Sequence, residues 1–199
     1  MRNLAVAVLA LMTLAACATS QNAQPLATPL PPAPLPDYRV GDRFLFKVGP
    51  IEDLQSVIAV EADIITYQTR VFGTVRQSRA FANPANWSGG SFAGPMKVET
   101  EGRIDSLFPL RVGNVATTKG VNEFAGRTTK FTLTCRVPRQ ESITVTAGRF
   151  DTIVVECEYV HELGSYFFTY WYAPAVGHWV AVRRDGRYQE LASWTRAGQ

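Results

Sequence analysis

Phe131-Thr132-Leu133-Thr134-Cys135-Arg136-Val137 alternates apolar and polar residues at every step. That is the period of an extended strand with one face in a core. The same pattern recurs on both sides of it. Ile143, Val145 and Ala147 alternate with Ser142, Thr144 and Thr146, and Gly148 marks a turn. Ile153, Val155, Cys157 and Tyr159 share a face opposite Glu156 and Glu158, and Gly164 separates them from the aromatic run Tyr166 to Tyr172. Trp179 to Arg184 and Arg187 to Thr195 flank Asp185-Gly186, a pair that supplies the positive φ angles of a type I′ hairpin turn. Upstream, Phe44, Phe46 and Val48 share a face, and Val57 to Val60 and Ile64 to Arg70 pair around Glu61-Ala62-Asp63. Phe72 to Ala80, Met96 to Ile104 and Asn114 to Thr118 read as further strands, Asn83 to Gly94 as a loop, and Phe108 to Gly113 as a turn. No amphipathic helix exceeds two turns. The expectation is one all-β domain over 38–199: about ten antiparallel strands in a meander that forms a curved sheet or open barrel.

Bulk composition agrees with a globular chain. Of 199 residues, 46% are hydrophobic and 19% charged, too apolar for disorder. The net charge is +3, and Arg183-Arg184 is the only adjacent basic pair, so there is no electrostatic case for nucleic acid.

The N-terminus has a separate logic. Arg2 precedes an apolar run from Leu4 to Ala16 broken only by Thr13. A membrane-spanning helix needs about 20 apolar residues, so this run fits a signal-peptide core over 1–16 instead. Leu14-Ala15-Ala16-Cys17 resembles the bacterial lipobox. The resemblance implies cleavage before Cys17, a diacylglyceryl thioether on its sulfur and a further acyl chain such as palmitate on its amine; two or more chains make a stable anchor. The other reading is an ordinary signal peptide cut after Ala16 or Ala18. By similarity to enterobacterial sorting, Ala18 in place of Asp implies the outer membrane, with the domain facing the periplasm. Residues 17–37 then form the lipidated N-terminus and a proline-rich tether, with six prolines between Pro25 and Pro36. Such a segment favours polyproline II and reads as a semi-rigid spacer, or as a ligand for a proline-recognising domain.

Cys135 and Cys157 sit in phase with the apolar residues of their strands, 22 positions apart, across the Ile143 to Ala147 strand. In an exported protein they read as a disulfide, the alternative being two separate buried thiols. No cofactor or metal is expected. The two histidines, His161 and His178, lack metal-ligand spacing with any cysteine, and His178 reads as a hydrogen-bonded structural residue. There is no nucleophile, phosphate-loop or zinc-protease motif, and Glu156 and Glu158 read as the solvated face of a strand. No catalytic residue is assigned. The aromatic run instead offers Phe168, Tyr170, Trp171, Tyr172 and the nearby Trp179 as an apolar ligand or partner surface, against the alternative of a central strand buried on both sides.

Three stretches carry a family likeness: Phe108-Pro109-Leu110 with Gly113, Val145-Thr146-Ala147-Gly148-Arg149-Phe150-Asp151-Thr152, and Trp171-Tyr172-Ala173-Pro174 with Gly177. Together they resemble a group of β-rich bacterial envelope proteins of unassigned function, in which proline usually stands where this chain has Thr146. The group is similar, more distantly, to the open barrels of LolA- and LolB-type lipoprotein carriers. The anchor, the spacer and the aromatic run together point to a non-enzymatic, membrane-anchored envelope lipoprotein that binds an apolar small molecule or an envelope protein. A structural or assembly role without a small ligand, and a cell-wall or lipid hydrolase, are the competing readings.

Overall fold

A computed structural model describes residues 23–80, 87–91, 94–101 and 104–198. The strands are β1 (Gln24–Pro25), β2 (Arg43–Val48), β3 (Ile51–Glu61), β4 (Ile64–Thr69), β5 (Gly73–Ser78), β6 (Trp87–Ser91), β7 (Gly94–Glu101), β8 (Val115–Phe124), β9 (Arg127–Val145), β10 (Gly148–His161), β11 (Gly164–Ala173), β12 (His178–Arg184) and β13 (Arg187–Thr195). From β2 to β13 each strand pairs antiparallel with the next, and β13 returns to pair with β2. The sheet is strongly curved but not closed. Between β5 and β6 the described pairing is the single pair Arg76↔Ser88, so the barrel is open on that side. The only helical element among the described residues is a 3-10 turn, Ile104–Leu107.

The alternation that predicts strands is the alternation that fills the barrel. Phe131, Leu133, Cys135 and Val137 on β9 are buried, as are Cys157 and Tyr159 on β10 and Phe44 and Phe46 on β2. Asp185 and Gly186 take φ values of 44° and 79°, as the β12–β13 hairpin requires.

Three expectations need correction. The runs 131–137 and 143–147 belong to one 19-residue strand, β9. Pro138 suggests a break because proline donates no ladder hydrogen bond. It falls just past the residues that β8 pairs, which end at Arg136, so no partner on that side needs its missing N–H. Second, the glycine-rich segment read as a loop contains strand β6, while 83–86 and 92–93 lie outside the described residues. Third, the proline-rich segment from residue 23 onward is not a free spacer. β1 pairs with β9 at Gln24↔Ser142 and Pro25↔Glu141. The Leu30 N–H donates to the Gln140 side chain at 2.8 Å, and Ala33 exchanges both backbone hydrogen bonds with Leu110. Residues 24–42 are therefore a strap laid across one end of the barrel.

The strands alternate between two ends. One end, here the strap end, collects the strap, the Ala173–His178 connection and the last residues of β13. The other, the mouth, is made of hairpin tips at Gly49-Pro50, Ala125-Gly126, Glu162-Leu163 and Asp185-Gly186.

Cys135 and Cys157 are joined by a disulfide. They are directly paired residues of β9 and β10, with no strand between them. The bond closes a loop of 22 residues, which restricts the unfolded chain and stabilises by roughly 3 kcal/mol in the chain-entropy account. Cys135→Ser combined with Cys157→Ser is expected to lose about 2–3 kcal/mol in urea unfolding, with the β signature of the circular dichroism spectrum retained. Unchanged stability would show that the ladder alone supplies the constraint.

Candidate functional site

Near the mouth, the core-facing side of β9 to β12 carries a ladder of rings. It arises from register. Cys157 pairs with both Cys135 and Phe168, Tyr159 with Leu133 and Tyr166, and Phe168 with Arg184, so all of these point the same way. Phe131 and Tyr159 stack with ring centroids 4.5 Å apart. His161 and Tyr166 stack at 5.2 Å, and Phe168 and Tyr170 at 6.0 Å. The Arg184 guanidinium lies 5.3 Å from the Tyr166 ring centre and 5.1 Å from that of Phe168. Gly120 of β8 makes room beneath: a Cβ there would come within 2.7 Å of the Phe131 ring.

The ladder opens outward by degrees. Phe131 and Tyr159 are buried, His161 and Phe168 are half-buried, and Tyr166 is 37% exposed. Burial raises the Tyr159 hydroxyl to about 12, although a hydrogen bond from Asn122 works against the rise. Burial likewise pushes the Tyr170 hydroxyl well up. Both phenols stay neutral at any physiological pH and serve as hydrogen-bonding groups. Arg184 has a carboxylate neighbour, Asp185, at 3.8 Å, and more than half of its side chain is exposed. The arrangement therefore offers flat apolar faces with an accessible cation across them, suited to stacking and to an anionic group.

The residues singled out in the sequence do not form one surface. Phe168 and Tyr170 belong to the ladder. Tyr172 and Trp179 are buried toward the strap end, where Trp179 stacks on Phe46 at 3.9 Å. Trp171 points to the opposite face and is still only 3% exposed. Its indole N–H donates to Glu141 at 2.6 Å, the Arg183 guanidinium lies 5.4 Å above its ring, and Tyr188 packs at its edge. The stretch 170–173 is thus buried on both faces, and exposure moves to the hairpin before it: Leu163 is 85% exposed and Phe167 60%. Arg184, His161 and Phe131 escape a reading of the sequence because their placement depends on cross-strand register: His161 pairs with Phe131 on β9, and Arg184 with Phe168 on β11.

Acid–base chemistry has little support here. Glu156 accepts from Arg136 at 2.8 Å and from Arg139 at 2.7 Å. Burial raises its pKa, but the two arginines outweigh that and hold it below the ordinary value. It is a fixed carboxylate of an outer-face ion network. Among the described residues no group of three or more His, Cys, Asp or Glu is placed to hold a metal ion. Cys17 and the rest of 1–22 lie outside the described residues.

Two solved structures share the fold. The hypothetical lipoprotein YmcC from Escherichia coli K12 superposes with a TM-score of 0.54 at 9% identity, covering 79% of this chain and 85% of that one. A Bacteroides fragilis protein with a YmcC-like fold, provisionally described as exported, gives 0.50 at 12% identity, covering 82% of this chain and 100% of that one. No protein-family model and no curated protein sequence matches the chain. At these identities the likeness is one of fold.

Proposed function

We propose that this chain is a non-enzymatic lipoprotein of the bacterial envelope, anchored through lipid on Cys17 in the outer membrane and facing the periplasm. Its barrel mouth binds an apolar ligand that carries negative charge at one end. The observation that supports this most is the half-open ring ladder with Arg184 at its rim. Buried aromatics need no ligand, but Tyr166 and Phe168 with an accessible guanidinium across their faces leave apolar area and a cation at the surface together. The lipobox, and the description of one fold neighbour as a lipoprotein, support the envelope location.

The soluble chain from Ala18, titrated with a dansyl-labelled undecanoate, tests the reading. Saturable binding is expected. Phe168→Ala is expected to weaken it about tenfold, the effect of losing one stacked ring of ~1.5 kcal/mol. Arg184→Gln should weaken the carboxylate probe but not its uncharged methyl ester. No saturable binding, or binding indifferent to both substitutions, would overturn the ligand assignment. A second reading, a protein contact, is favoured by Leu163 and Phe167 on the β10–β11 hairpin.

A further inference from the structure

The docked strap restricts how the barrel can sit on a membrane. We infer that the strap end rests on the headgroup layer of the anchoring bilayer and that the mouth is turned away from it. The inference rests on lipidation of Cys17, proposed above. Gln24 is fixed to β9, opposite Ser142, so the length of chain from the anchor to the barrel is at most the seven residues from Cys17 to Gln24. Seven residues of chain reach about 25 Å at full extension.

The barrel is long on that scale. Ser142 pairs with Asp151, and from Asp151 to His161 strand β10 climbs ten residues toward the mouth. That is about 33 Å along the strand, or roughly 25 Å of height at the usual tilt of barrel strands. The Glu162-Leu163 tip extends farther. With the mouth on the bilayer, Gln24 would stand at or beyond the full extension of its tether. With the strap end on the bilayer, the tether carries no tension.

The strap end has the surface for this contact. Val40 is 60% exposed and Val112 47% exposed, each next in sequence to an exposed arginine, Arg39 and Arg111. Val40 lies in the strap just before β2, and Val112 lies two residues past Leu110, which exchanges backbone hydrogen bonds with Ala33 of the strap, so both adjoin the strap. Small apolar side chains beside guanidinium groups fit the boundary between headgroups and acyl chains. The consequence is that Leu163 and Phe167 are not buried by the anchoring membrane and remain open to whatever approaches from the periplasmic side.

The full-length lipidated protein in vesicles of phosphatidylethanolamine and phosphatidylglycerol tests this. Val112→Cys and Leu163→Cys are made separately, with the buried disulfide intact, and each new thiol carries an environment-sensitive fluorophore. Lipids spin-labelled at the headgroup are expected to quench the probe at position 112 several-fold more than the probe at 163. Equal quenching, stronger quenching at 163, or none at either position overturns the orientation. Incorporation of labelled palmitate, lost in Cys17→Ser, is read on the same preparations. Its presence with the wrong quenching pattern refutes the orientation alone, whereas its absence refutes the anchor and the orientation with it.

Discussion

Asp42→Ala is expected to destabilise the domain by about 4 kcal/mol, within the range for breaking a buried ion pair by removing one partner. Asp42 is fully buried. Its Oδ2 accepts the Arg39 N–H at 2.9 Å and lies 3.0 Å from the Arg196 guanidinium. Its Oδ1 accepts the Ala197 N–H at 2.8 Å. Arg196 also donates to the Asp37 carbonyl. One carboxylate thus clasps the end of the strap to the residues after β13, 155 positions away. Alanine leaves two backbone donors and a guanidinium without their acceptor, and each unsatisfied buried group carries its own desolvation cost. Arg196→Met is the milder change, at about 2–3 kcal/mol, since two N–H donors still hold the carboxylate. The double variant should fall short of the sum of the two by at least ~1 kcal/mol, because the second substitution removes a partner the first has already orphaned. Urea unfolding of the four proteins measures this. Additive effects, or Asp42→Ala within about 1 kcal/mol of the parent, would show that the clasp contributes little.

This clasp also shows what the sequence can and cannot convey. Strand identity is written locally. Phe131 to Val137 alternates whatever it pairs with, and Asp185-Gly186 names its own turn. From β2 to β13 the meander follows because every connection except that between β7 and β8 is too short for a crossover. Closure toward a barrel is not local. β8 pairs with β9 over Val115↔Arg136 to Phe124↔Arg127, while β13 must find β2 across most of the chain. The bulges at Val154/Glu156, Trp171/Tyr172 and Leu191/Ser193 shift which residues face inward, so period-two counting cannot be carried through them. Trp171 and Tyr172, by contrast, occupy opposite faces by simple alternation on β11, where the register with β10 is regular, although they lie side by side in the sequence. The strap misleads for a related reason. A run of prolines reads as extended spacer by composition, but Ala33 and Tyr38 within and just after it are buried. Extended chain docks on a barrel end as readily as it spans a gap. The mouth was legible only in its parts: the aromatic run announced apolar area, whereas Arg184 joined it through pairing.

Strap-end packing leads to a pH dependence. His178 is fully buried among Tyr38, Phe44, Phe46 and Trp179, with the Phe44 ring 4.3 Å away. Its Nδ1 lies 3.0 Å from the Trp179 carbonyl. A carbonyl can only accept, so Nδ1 carries the proton in the neutral ring. Burial pushes its pKa from 6.5 down to about 3, against a smaller upward pull from the Trp179 carbonyl. The unfolded chain therefore takes up a proton near pH 6.5 that the folded protein refuses until far lower, and stability falls as pH drops through that window. The slope approaches ~1.4 kcal/mol per pH unit, reaching a total of roughly 5 kcal/mol if the fold survives to the bottom of the window. Glu156 acts in the same direction, but its stabilising contribution is lost only as pH falls below the ordinary carboxylate range. Between pH 6 and 5 the histidine is the group to watch. Urea unfolding at pH 7, 6 and 5 should show stability decreasing, and His178→Phe should remove most of that decrease while leaving a folded protein at pH 7. A His178→Phe variant with the parent's slope would mean that the ring is protonated in the folded state. The charge would then have to be accommodated beside Arg196, which itself disfavours it.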